Sequence, residues 1–151
     1  MSVITTARAE RKVGKPKTIA WRLVTALLAA MFVLSGYAKF VDPRMAEQFV
    51  HWGYSDASRV LVGVIEIGGG LALLLPQTAF YGAAALAIVM GGAAFTHLSH
   101  SEIPEAAVPL VLLNLLVNLA SASSPASRTR RFRAAWEAYA ERALHDTERQ
   151  P

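Results

Sequence analysis

A single acid sits in the middle of a long apolar stretch. In ASRVLVGVIEIGGGLALLL, residues Ala57 to Leu75, Glu66 is about nine residues from either end. A carboxylate halfway across a bilayer costs several kcal/mol unless it is neutral, paired or facing a polar cavity. Its side chain is also too short to reach the headgroups from that depth. Two roles are open to it: a hydrogen bond that locks helix packing, or a proton-handling or ligand-binding group.

Three other residues could share that chemistry. Asn114 lies in AAVPLVLLNLLVNLA at a depth similar to that of Glu66, with Asn118 one turn deeper on the same face. A Glu66–Asn114 contact is therefore expected, although such interhelical hydrogen bonds average only ~0.6 kcal/mol. Lys39 ends the first apolar run, and its stem can bend back toward Glu66 or run out to the headgroups; snorkelling outward is the expected outcome. His97 ends the third run and His100 follows three residues later. Such a pair can shuttle protons, or bind a metal if Glu102 and Glu105 complete the set. Two histidines without a defined third ligand do not make a metal centre, so interfacial histidines and no metal are expected.

The elements that must position these residues are apolar helices. The first run, Ile19 to Ala38, is long enough at ~1.5 Å per residue to cross a ~30 Å hydrocarbon core. Leu23 to Leu34 also resembles the apolar part of a signal peptide, which is the competing reading. The second run is Ala57 to Leu75, with Pro76 at its exit, and the third is Ala79 to Leu98. The fourth, Ala106 to Ala120, is short for a span and must borrow Ile103 to Glu105 and Ser121 to Ser123. Between the first two runs, Asp42 followed by Pro43 signals a helix start. Met45, Phe49 and Trp52 fall on one face, so a short amphipathic helix at the membrane surface is expected, ended by Gly53.

The fold class expected is all-α: a four-transmembrane-helix bundle with short interfacial amphipathic helices. Residues 1–18 read as a disordered basic tail, 19–120 as the membrane domain, and 121–151 as an amphipathic tail. That last segment opens with a Ser/Pro linker. It continues with Phe132, Trp136, Tyr139 and Ala143 at helical spacing among several arginines, the pattern of a helix lying on a membrane surface. A solvated helix with some aromatics is the alternative.

Charge supports this organisation. The chain is 54% hydrophobic and 17% charged, against an average of ~25% charged for soluble domains. No Asp, Glu, Lys or Arg occurs between Glu66 and Glu102. The net charge of +4 comes from cations flanking apolar runs, where they orient helices and meet anionic lipid, so nucleic acid is not the expected partner. Both tails are rich in Lys and Arg, while the longer loops are mixed or acidic. Both termini are therefore expected on the cytoplasmic side, which requires an even number of crossings. The chain has no cysteine, which removes disulfides, thiol redox chemistry and cysteine-ligated metals. Gly63, Gly68, Gly69, Gly70, Ala83, Ala87, Gly91 and Gly92 read mostly as packing devices between helices. Gly68 to Gly70 could also make room for a ligand headgroup beside Glu66.

In order and spacing, LSGYAKF, VGVIEIGGGLALLLP and ALAIVMGGAAFTHL together resemble the DoxX-like family of bacterial inner-membrane proteins, over about Trp21 to Ala120. The resemblance implies a four-helix inner-membrane bundle, with Gly36, Lys39, Glu66 and His97 at the motif positions. Some members of that family are subunits of quinone-linked sulfur oxidation or of membrane oxidoreductase complexes; many have no known activity. The expected function is an accessory, non-catalytic subunit of a membrane redox system that binds a quinone near Glu66 and pairs with an oxidoreductase subunit. A small proton-coupled permease, with Glu66 as the proton site, and a purely structural or interaction protein are the alternatives.

Overall fold

The computed structural model describes residues 15–148. The protein is all-α, and among the described residues there is no strand. The helices are α1 (Lys15–Val41), α2 (Pro43–His51), α3 (Asp56–Leu74), α4 (Ala79–Ser99), α5 (Ile103–Ser123) and α6 (Pro125–Glu148). Among the described residues four helices are long and apolar enough to cross a membrane: Ala20–Val41 within α1, and α3, α4 and α5 in full. The protein is a multi-pass membrane protein. Large apolar side chains lie exposed along these helices, among them Leu27 and Leu34 of α1, Val64 of α3, Ile88 and Phe95 of α4, and Val108 of α5. An apolar surface of that extent suits lipid as the surrounding solvent.

The chain divides into two compact units at Leu74/Leu75. In the first, α1 packs antiparallel against α3 through a face that buries Leu28, Ala29 and Phe32. In the second, α4 packs on α5, burying Ala83, Leu86 and Met90 of one helix and Leu116 and Leu119 of the other.

Several boundaries follow from local chemistry. Asp42 caps α2: its carboxylate accepts from the Arg44 backbone N–H at 3.0 Å, and Pro43 opens the helix. The Arg44 guanidinium also binds this carboxylate and holds it below the ordinary aspartate range. At the other end of α2, Tyr54 N–H donates to Phe49 O and Gly53 N–H to Val50 O. This is a Schellman turn, whose left-handed position falls on Gly53 at φ 77°. The Phe49 and Tyr54 rings, 6.1 Å apart, supply its usual apolar contact.

The tails differ from expectation. Residues 1–14 of the tail read as disordered lie outside the described residues, but Lys15 to Thr18 already belong to α1. Pro16 is compatible with that start because the first helical turn needs no donor from it. The Ser/Pro linker shrinks to one residue. The α5 helix runs through Ser123, and only Ser124 breaks it, extended at ψ 147° as a residue before proline must be. The amphipathic tail helix is present as α6, with Phe132, Trp136 and Tyr139 exposed. Ala143, the last of the apolar positions, lies outside the residues whose side chains are described.

Candidate functional site

Lys39 and Glu66 meet inside the first unit. Lys39 Nζ lies 2.7 Å from Glu66 Oε2, and the two residues are only 8% and 2% exposed. Lys39 was expected to snorkel outward, and the structure overturns this. The reason is directional. Helical side chains lean toward their own N-terminus, and Lys39 sits in the last turn of α1. Its stem therefore folds back along α1 into the hydrocarbon, over Ser35, whose Oγ accepts from Nζ at 3.3 Å. Reaching the headgroups would require the opposite lean and the loss of both Glu66 and Ser35 as partners.

Glycines make the encounter possible. A Cβ on Gly36 would lie 2.7 Å from Gly63 O, and one on Gly70 would lie 2.9 Å from Ala29 O. The two backbones touch there, which brings Lys39 and Glu66, each one turn from its glycine, within reach. The expectation that Gly68 to Gly70 opens ligand space divides accordingly. Gly70 is sealed against α1, whereas a Cβ on Gly68 would meet nothing within 4 Å. Nor do all the small residues pack a helix contact: Cβ atoms on Gly91 and Gly92 would also meet nothing within 4 Å.

Arg59 completes the site, and sequence reasoning missed it. Its guanidinium donates to the Lys39 carbonyl, one of the carbonyls left unsatisfied at the end of α1, and binds Asp56 at 2.6 Å. The signal was its place in the first turn of α3, level with the end of an antiparallel α1. Ser35 was likewise legible as the residue one turn before Lys39.

Two valences remain at this site. Lys39 has three N–H donors, and Glu66 Oε2 and Ser35 Oγ take two. Among the described residues nothing donates a hydrogen bond to Glu66 Oε1, and no fully buried side-chain oxygen or nitrogen lacks a partner. That oxygen is therefore not sealed from its surroundings. The pair leaves one donor and one acceptor side by side.

The other candidates lie in the second unit. Asn114 is exposed on α5, where its amide oxygen accepts from Asn118 Nδ2 at 3.2 Å. His97 Nδ1 lies 2.8 Å from Glu102 Oε2 across the α4–α5 turn. This is a second Schellman turn: Glu102 N–H donates to His97 O and Ser101 N–H to Leu98 O. The His97–Glu102 contact stands where the apolar contact of such turns normally stands. Ser101 occupies the left-handed position at φ 62° without being glycine, a strain of about 1–2 kcal/mol. Ser101→Gly will raise the protein's stability by about 1 kcal/mol, read from unfolding in mixed micelles; an unchanged or lower value would contradict the strain. Among the described residues no three His, Asp or Glu side chains are grouped to hold a metal ion.

A family model described as the DoxX-like family matches residues 23–119, more than half of the chain. The match spans α3 and α4 in full, α1 from Leu23 and all but the last residues of α5. No curated protein and no solved structure gives a match.

Proposed function

Because the chain belongs to the DoxX-like family, we propose that it is an accessory subunit of a quinone-linked membrane redox system and that the Lys39–Glu66 pair holds the quinone headgroup. The observation that carries this reading is the unfilled valence of the pair. Lys39 retains one N–H donor beside Glu66 Oε1, an open acceptor, inside an otherwise apolar helix pair. A quinone headgroup carries oxygens that accept from an ammonium and, when reduced, hydroxyls that donate to a carboxylate. The residues present fit such a group. When bound, a quinone supplies a lipid-soluble two-electron carrier. The protein's own contribution is to orient it through Lys39 and Glu66 and to hold the pair in register through Ser35 and Arg59.

This reading places the chain in a bacterial inner membrane with an even number of crossings and both termini cytoplasmic. Arg128, Arg130, Arg131 and Arg133 near one end, and Arg8, Arg11, Lys12 and Lys15 near the other, support that orientation. A membrane-associated oxidoreductase subunit is the partner it implies.

The test is binding of the reduced headgroup, as decyl-ubiquinol, to purified protein in nanodiscs, followed by tryptophan quenching. Wild type will bind, and Glu66→Gln will bind about tenfold more weakly, the order of one charge-assisted hydrogen bond. Equal affinities would remove the site. Uptake driven by an imposed pH gradient in proteoliposomes, lost in the same variant, would instead favour a proton-coupled permease.

A further inference from the structure

We propose that α5 carries a self-pairing seam through which two copies of this chain associate side by side in the membrane. Ala107, Val111, Asn114, Asn118 and Ser121 succeed one another at alternating steps of four and three residues, and all five are exposed. A 3.5-residue repeat is the spacing with which one helix packs along another in a left-handed pair. The opposite face of α5, with Pro109, Leu116 and Leu119, is buried in its packing on α4. The seam is the face of α5 turned away from α4, and the polar residues Asn114, Asn118 and Ser121 all lie on it.

The amides say what covers the seam. Asn118 Nδ2 donates to Asn114 O at 2.8 Å and to Asn114 Oδ1 at 3.2 Å. Both N–H groups of Asn114 and the Oδ1 of Asn118 are left without a partner among the described residues. At the middle of an apolar span such groups are costly to leave unsatisfied, and lipid chains offer them nothing. A primary amide is donor and acceptor at once, so it is complementary to its own copy. Copies of a membrane protein share one orientation, so a two-fold axis along the membrane normal sets two α5 helices parallel. The same residues then face each other across it, Asn114 to Asn114 and Asn118 to Asn118. The small side chains of Ala107 and Ser121 above and below let the helices approach closely enough for those bonds. An asparagine in such a seam also fixes register.

Because the chain has no cysteine, the seam can be mapped with single cysteines in native membranes. Val111→Cys, Asn114→Cys and Asn118→Cys will form disulfide-linked dimers under mild oxidation. Val108→Cys and Ile88→Cys, on other exposed faces, will do so at least severalfold more slowly. Energy transfer between labelled copies in vesicles will show the Asn114→Val, Asn118→Val double variant dissociating about tenfold more readily, from roughly threefold per interhelical hydrogen bond. Cross-linking without the four–three periodicity, or unchanged dissociation in the double variant, would overturn the proposal. So would an Asn114→Cys that bonds within one chain to a cysteine placed at Leu34 or Val64, since the chain's own first unit would then cover the seam.

Discussion

Lys39→Met will destabilise the α1–α3 pair by about 3–5 kcal/mol, the cost of leaving a buried charge without its partner. Glu66→Gln will cost less, although it breaks the same 2.7 Å bond. The asymmetry comes from side-chain length. A lysine freed at the end of α1 can swing to the headgroups and rehydrate, whereas a carboxylate at the middle of α3 has no such exit. Replacing both together, Lys39→Met with Glu66→Leu, will recover most of the loss, because no buried charge remains to be compensated. Unfolding in mixed micelles, followed by circular dichroism, measures all three variants. A double variant no more stable than Lys39→Met would mean that an uncompensated Glu66 charge is not the source of that variant's loss.

The second large effect lies in the glycines, and it should be graded. Gly36→Ala will cost about 1–3 kcal/mol, typical of overpacking a closed contact, because its Cβ would press on the Gly63 carbonyl at 2.7 Å and backbone cannot step aside. Gly70→Ala follows closely, against the Ala29 carbonyl at 2.9 Å. Gly63→Ala will be milder, since the first atom it meets is the tip of the Phe40 ring, which can rotate away. Gly68→Ala meets nothing and will be neutral or stabilising by about 0.5–1 kcal/mol, from the better helix propensity of alanine. The same unfolding measurement ranks the four. An equal penalty at Gly68 and Gly36 would contradict the close approach of α1 and α3.

Much of this architecture was legible in the residues. Apolar runs separated by charges, or by Pro76 between the second and third, marked the four spans, because lipid demands uninterrupted apolar helices of a given length. The Asp42–Pro43 start and the Gly53 stop of α2 were legible because capping is local chemistry. Glu66 stood out through its burial cost alone. What was not legible depends on neighbours distant in sequence. Which of Gly63, Gly68 and Gly70 touches α1 is set by the crossing of two helices, and all three look alike in a string of letters. The inward turn of Lys39 followed from the tilt of helical side chains, a cue that points the right way only once the end of the helix is known. Ser101 gave no sign of its left-handed backbone, since a glycine would have been the ordinary choice there.

The ion partners are 27 residues apart in the chain, and this has a consequence for biogenesis. At roughly 5–20 residues per second, the ribosome delivers Glu66 about one to five seconds after Lys39. During that interval the ammonium has no counter-charge and must linger near phosphate groups, so α1 enters the bilayer incompletely seated. Arrival of the acid draws it down, and the first two crossings finish their insertion as one hairpin rather than one after the other.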